Sequence, residues 1–328
     1  MTNRGPEALA LCPVAAPAPL ALVEATASAH KYASNARSDN TLRAYRAAWG
    51  DFVAWATAQG VDPCPARPAA LAAYLAHRAD EGAKAASLAL YLSAVVEAHR
   101  AAGHDAAALR GSVEVRTVMR GIRRTLGTAQ RQAAPATSDV IRAMVATLPA
   151  GLLGARDRAL LTLGFSGAFR RSELVALCVE DLAFSARGVE VSIRRSKTDQ
   201  EGAGRTVAVP FGLSPETCPV RALRAWLDAA GIQGGNVLRS VDRWGRVGAA
   251  LSDRAVALVV KAHAAAAGLD AAAFSGHSLR AGLATSAALA GRSDRSIMAT
   301  TGHRSRTMID RYVRAADAWR DNAATGLL

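Results

Sequence analysis

The stretch that decides how the chain is read is GHSLRAGLATSAALAGRSDRSIMATTGHRSRTMIDRY, residues 276–312. Within it stand two histidines, His277 and His303, together with Arg280 and Tyr312. The segment 276–291 is rich in Ala and Leu and closes on Gly291, a helical composition. His277 and Arg280 are three positions apart, so on a helix they share a face and can converge on one ligand. His303 lies in TTGHRS, a turn signal, and Tyr312 follows nine residues later in SRTMIDRYVR, which reads as a further helix. A phenol with a pKa near ~10 is a poor nucleophile at neutral pH unless a base or positive charge assists it. The histidines offer the first kind of help and the arginines the second.

Working outward, two upstream stretches carry further cationic residues. Gly167-Ala168-Phe169-Arg170-Arg171-Ser172-Glu173-Leu174 opens a short helix on an arginine, and 188–210 alternates as VEVSIRRSK and RTVAVP around a Gly-containing turn, a β-hairpin with Lys197 near its tip. Taken together, these residues resemble the tyrosine recombinase (phage integrase) family, whose active site runs Arg, Lys, His-x-x-Arg, His or Trp, Tyr. Arg170, Lys197, His277, Arg280, His303 and Tyr312 fill all six positions in order. Two departures accompany the match. Ala168-Phe169 stands where relatives have Gly-Leu, and Ala281-Gly282 where many have His-Thr; neither changes a charged or nucleophilic group.

The resemblance implies roles. Tyr312 attacks a DNA phosphate to give a 3′-phosphotyrosyl bond and a free 5′-hydroxyl. Arg170 and Arg280 hold the non-bridging oxygens, because the guanidinium fork matches phosphate geometry. Lys197 protonates the departing 5′-oxygen, His277 assists the tyrosine proton, His303 hydrogen-bonds the phosphate, and Glu173 orients its neighbours. Fixed cations then do what a metal does elsewhere, so neither a metal, a cofactor nor ATP is expected. Strand exchange between two duplexes implies double-stranded DNA as partner and a homo-tetramer on it. The free protein is expected to be a monomer or weak oligomer, with accessory DNA-bending proteins as candidate helpers. Trp319, in the segment after Tyr312, either docks on a neighbouring subunit or packs on its own domain. Two other readings use the same residues: a type IB topoisomerase-like nicking and resealing activity, and a non-catalytic DNA-binding accessory protein.

Composition agrees with a polyanionic partner. The 328 residues carry 40 basic and 27 acidic side chains, a formal charge of +13. Residues 31–130 have 13 basic against 8 acidic groups and residues 131–328 have 26 against 17, so both halves are basic. The four cysteines, at 12, 64, 178 and 218, show no metal-ligand spacing. No apolar run reaches the ~20 residues of a membrane span. A cytoplasmic, nucleoid-associated protein is the expectation.

The predicted architecture is mainly α with a small β-sheet or hairpin in the C-terminal domain: a two-domain DNA clamp with a helical core-binding domain and a mixed α+β catalytic domain. Residues 1–30, rich in Ala and Pro, read as a disordered tail. Residues 31–127 form the helical module, 128–138 a linker and 139–328 the catalytic domain. Helices are expected from about Ser38 to Gly60, from Pro68, from Ser87 to Gly103 and from Ser112 to Leu126. The last sets Val115, Val118, Met119, Ile122 and Leu126 on one side and Arg116, Arg120, Arg123 and Arg124 on the other. That stripe is either a solvated face or a contact with the DNA backbone. Between 236 and 252 the chain reads as a loop, with Arg243 and Arg246 as further candidate DNA contacts.

Overall fold

The computed structural model describes residues 28, 32, 37–129, 132–194, 204–310 and 312. Lys197, Trp319 and the N-terminal tail apart from residue 28 lie outside them. The chain divides into two compact units between Gln130 and Arg131.

The first unit is helical: α1 (Asp39–Ala58), α2 (Pro68–Asp80), α3 (Ala85–Ala101), α4 (Ala106–Gly111) and α5 (Val113–Leu126). Caps set the boundaries. Ser38 accepts from the Thr41 N–H, Asp105 from Ala108 and Ser112 from Val115, each satisfying an orphan donor. Proline at the first position starts α2. Phe52, Leu71, Tyr74, Leu75, Leu88, Val95 and Val115 are buried in one core, each such side chain contributing roughly 1.5–3 kcal/mol. The Tyr74 hydroxyl donates to Asp51 at 2.5 Å and Arg78 Nε donates to the same carboxylate at 2.8 Å, locking α2 onto α1. Helix α4 was absent from the sequence reading: six residues are too few for a periodic signal. Leu126, expected on the apolar side of α5, is exposed, because the helix ends at Gly127 (φ 72°) and its last turn passes beyond the core.

The second unit holds α6 (Ser138–Ala146), α7 (Leu152–Ser166), α8 (Arg171–Ala176), a three-stranded antiparallel sheet β1 (Leu182–Phe184), β2 (Gly188–Ile193) and β3 (Arg205–Pro210), then α9 (Pro219–Ala229), the two-stranded β4 (Arg239–Val241) and β5 (Val247–Ala250), α10 (Asp253–Ala266), α11 (Ser278–Leu289) and α12 (Asp294–Thr301). In β2 and β3 alternate residues Val189, Val191, Ile193, Val207 and Val209 face the core, as a half-buried sheet requires. Helix α7 is buried along most of its length, and Trp226 of α9 is sealed inside with its Nε1 donating to the Val237 carbonyl at 2.8 Å. Asp157 of α7 sits buried between Arg156, whose Nε donates to it at 2.7 Å, and His263 of α10 at 2.9 Å.

The structure corrects two expectations and adds a contact within the expected linker. Residues 236–252 contain the β4–β5 hairpin rather than a loop; its strands are three and four residues long, broken by an irregular register, and Gly248-Ala249-Ala250 carries no β-propensity to announce it. From Ser252 to Gly268 the sequence predicts a helix that buries Val256, Leu258, Val259 and Val260; in α10 Leu258 is exposed and the other three are buried. Residues 134–138, within the expected linker, are laid along α11: the Ala136 N–H donates to the Ser278 carbonyl at 2.9 Å and the Ser138 N–H to Ser286 Oγ at 3.0 Å. At Gly282 a β-carbon would fall 1.9 Å from the Ala136 carbonyl oxygen, so only glycine lets the strand-like segment lie this close.

Candidate active site

The site is assembled from the ends of α8 and β3 and the two helices α11 and α12. Arg170 caps α8 in an extended conformation (φ −68°, ψ 153°). Glu173, one turn in, reaches back: its Oε2 accepts from the Arg170 backbone N–H at 3.0 Å and its Oε1 pairs with the Arg170 guanidinium. The carboxylate is almost wholly buried, with a side-chain exposure of 1 % against 12 % for Arg170. Such a charge survives only if it is fully paired.

The second partner of Glu173 is one the sequence reading missed. Arg205, the first residue of β3, places Nη2 3.3 Å from Glu173 Oε2 and donates from Nη1 to the Thr300 carbonyl at 3.0 Å. A signal was present. Arg205 shares strand parity with Val207 and Val209, the inward-facing positions, so a cation there points into the protein. Burial pushes the Glu173 carboxyl up, but hydrogen bonds from Arg170 and the charges of Arg170 and Arg205 hold it below its ordinary range.

Arg280, in the first turn of α11, is buried at 6 % exposure. Its Nη1 donates to the Ala168 carbonyl at 2.8 Å, and its Nη2 has no hydrogen-bond partner among the described residues. Ala168 holds that carbonyl out with a left-handed backbone (φ 48°). Burial first, then the positive charges of Arg170 and Arg205, push the Arg280 guanidinium down to about 10, while Glu173 and Tyr312 act in the other direction. Three cations around one carboxylate leave a surplus of positive charge in a desolvated place, and an unsatisfied N–H points to an anionic acceptor.

Opposite this cluster, α12 ends at Gly302 in a left-handed turn (φ 68°, ψ 33°) that delivers His303. The Thr301 hydroxyl gives its proton to the Ile297 carbonyl at 2.7 Å, so its oxygen accepts from His303 Nδ1 at 2.8 Å. The neutral ring is thereby held with Nε2 as acceptor, and it donates from both nitrogens only as imidazolium. The His303 and Tyr312 rings lie with centroids 6.4 Å apart at 30°. Tyr312 is half-buried and packs on Ala284, Ala288, Ile297 and Ile309, the small apolar cluster of α11 and α12.

Among the sequence candidates, Arg170, Glu173 and Arg280 are joined electrically, and His303 and Tyr312 lie against each other. His277 caps α11 and is exposed, so it does not share the buried environment of Arg280. Arg116, Arg120, Arg123 and Arg124 are all exposed on α5. Arg243 and Arg246 flank the exposed Trp244 at the β4–β5 turn, with guanidinium carbons 4.1 and 5.7 Å from the ring centroid.

Comparison with known proteins places this arrangement. The model of the Phage integrase family matches residues 136–318, and that of the Phage integrase N-terminal SAM-like domain matches residues 31–105. An integrase/recombinase xerD homolog from Selenomonas ruminantium is 41 % identical over 293 residues, 88 % of this chain and 85 % of that protein. Among solved structures, a lambda integrase dimer bound to a COC′ core site superimposes with a TM-score of 0.58 at 20 % identity, over 89 % of this chain and 94 % of that one. A lambda integrase tetramer bound to a Holliday junction gives 0.57 at 21 % identity, over 86 % and 74 %. On the family match over more than half its length and the relative sharing two residues in five, the chain belongs to the phage integrase family, the tyrosine-type site-specific DNA recombinases.

Proposed function

We propose that this chain cuts and rejoins double-stranded DNA at specific sites through a covalent 3′-phosphotyrosyl intermediate on Tyr312. The observation that supports the reading best is the buried guanidinium of Arg280, which keeps one N–H unsatisfied beside Arg170 and feels the Tyr312 oxygen electrostatically. A phosphodiester entering there gains donors for its non-bridging oxygens from groups already fixed in place, with no reorganisation during the reaction. The Tyr312 oxygen attacks phosphorus, the P–O5′ bond breaks, and the 5′-oxygen takes a proton, a task we assign to Lys197 from its place in the motif. The phenolic proton leaves through a histidine: His303 stands beside the ring, and His277 is the family-based candidate. Exchanging one phosphodiester for another keeps the bond energy available, so religation is the same step reversed.

The wider role follows from the reading. Four copies act on two duplexes, an assembly in keeping with the lambda integrase tetramer bound to a Holliday junction, and the protein works where the DNA is, in the cytoplasm at the nucleoid. The domain limits we assign are 31–127 for the helical module, 128–138 for the connector and 139–328 for the catalytic part. Arg116, Arg120, Arg123, Arg124, Arg243 and Arg246 are the assigned backbone contacts.

The test is covalent capture. Wild-type protein is incubated with a nicked duplex library of random core sequence, and denatured protein–DNA adducts are isolated and sequenced. Adduct from wild type and none from Tyr312→Phe supports the reading. Equal adduct from both removes Tyr312 as nucleophile; binding with no adduct from either identifies an accessory DNA-binding protein. Relaxation of supercoiled plasmid without exchanged product identifies the topoisomerase-like activity.

A further inference from the structure

Arg205 is the charged residue of the cluster that no motif claims. We propose that Arg205 is a positioning residue for the recombination reaction: from the root of the β2–β3 hairpin it fixes Glu173, and through Glu173 the Arg170 guanidinium, in register with the turn that presents His303. The inference rests on the recombinase reading given above.

Four observations carry it. Arg205 bridges two elements far apart in sequence, with Nη2 on Glu173 Oε2 and Nη1 on the Thr300 carbonyl of α12. Its Nε is buried and without a hydrogen-bond partner among the described residues, so the side chain is held by its two termini rather than by solvent. The turn after α12 is built around it. A β-carbon at Gly302 would fall 3.0 Å from Arg205 Nε and 3.1 Å from its Cζ, so glycine there both permits the left-handed turn and leaves room for the guanidinium. Finally, Glu173 accepts from the Arg170 backbone and pairs with the Arg170 side chain with the same carboxylate that Arg205 holds. Arg205 is therefore linked to Arg170 through the shared Glu173 carboxylate on one side, and on the other it holds Thr300, three residues before His303. Among the described residues its hydrogen bonds reach Glu173 and Thr300, not Tyr312. Its effect passes through Glu173 and the Thr300–Gly302 backbone.

The charged groups facing Glu173 are Arg170, Arg205 and Arg280, and Asp181 and Arg194 line the same cavity of about 490 Å³. Removing Arg205 deletes one of the cations that keep the carboxyl ionised, so Glu173 titrates at higher pH. Once protonated, it no longer anchors Arg170. A residue that merely filled space would leave that titration alone.

The experiment uses the full chain and the duplex captured by wild-type protein, so an absent wild-type adduct counts against the recombinase reading and not against Arg205. Single-turnover cleavage is measured from pH 4 to 9 (on the order of the carboxylate and imidazole ranges) for wild type, Arg205→Ala, Arg205→Gln and Arg205→Lys, with duplex affinity and thermal unfolding alongside. Arg205→Ala or Arg205→Gln, whichever remains folded at the assay temperature, is expected to cleave about 10- to 100-fold more slowly at neutral pH. Affinity stays within about threefold, and the acid limb of the rate profile moves to higher pH. Arg205→Lys, which keeps the charge but not the fork, brings the acid limb back and recovers only part of the rate. Wild-type rate and profile in the folded variants overturn the proposal. So does a slower rate with an unmoved acid limb, which marks a purely structural arginine.

Discussion

Two groups of arginines occupy this molecule under opposite conditions. On α5 of the first unit, Arg116, Arg120, Arg123 and Arg124 stand exposed on a helix whose other face buries Val115, Met119 and Ile122. In the second unit, Arg170, Arg205 and Arg280 are withdrawn from water around Glu173. Exposed cations are hydrated, screened by salt and interchangeable; each adds a similar increment of attraction to a polyanion. Withdrawn cations repel one another, depend on a single carboxylate and are held in fixed geometry, so each has a role the others cannot assume. The first group suits holding a backbone at many registers, and the second suits one phosphate at one place.

The comparison is broken most directly at Arg280. Arg280→Ala is expected to lower single-turnover cleavage by about 10²–10³-fold, the scale of losing a preorganised donor to a developing charge. Duplex affinity at moderate salt changes far less, and rate and affinity are read in one titration series. Arg280→Lys should not restore the rate, because a single ammonium nitrogen lacks the planar fork that sets one donor on the Ala168 carbonyl and another apart from it.

Next comes Glu173. Glu173→Ala leaves two or more buried cations unpaired and is expected to destabilise the second unit by roughly 3–5 kcal/mol in denaturant unfolding. The pH dependence has a definite sign. Because the folded protein holds this carboxyl below its ordinary value of 4.5, its contribution is complete above that value and fades as pH falls through the lower folded one. Glu173→Gln should flatten this acid arm of the stability curve.

Gly282→Ala forces the Ala136 segment off α11. A loss of about 1–3 kcal/mol is expected, the usual range for overpacking, measured by thermal or denaturant unfolding. Smallest per residue is the exposed stripe. Replacing any one of Arg116, Arg120, Arg123 and Arg124 by alanine should weaken duplex binding modestly and reduce the slope of log affinity against log salt by about 0.9. The four changes together should be close to additive. Strong non-additivity would mean the stripe is built like the buried cluster.

Much of the site could be read from sequence because its chemistry is tied to spacing. Arg170 with Glu173, and His303 nine residues before Tyr312, declare themselves by residue type and interval. Arg205 did not: one arginine at the head of a strand looks like an edge residue until its parity with Val207 and Val209 is counted. His277 shows the converse. Its three-residue interval to Arg280 predicts a shared face, yet capping the helix leaves it exposed while Arg280 turns inward. In the fold, a strongly periodic helix such as α5 was legible, whereas α4 and the β4–β5 hairpin were not, since elements of three to six residues carry too little pattern and take their shape from the core they close.

The close approach of Ala136 to Gly282 has a mechanical corollary. The connector between the two units is stitched to the same helix that carries Arg280, two residues before the bare position. Tension on the connector is therefore tension on the helix that carries Arg280, delivered through the Ala136 N–H to a backbone carbonyl and the Ser138 N–H to a serine hydroxyl. Whatever strains that tether reaches the buried arginine cluster without passing through the bulk of the protein.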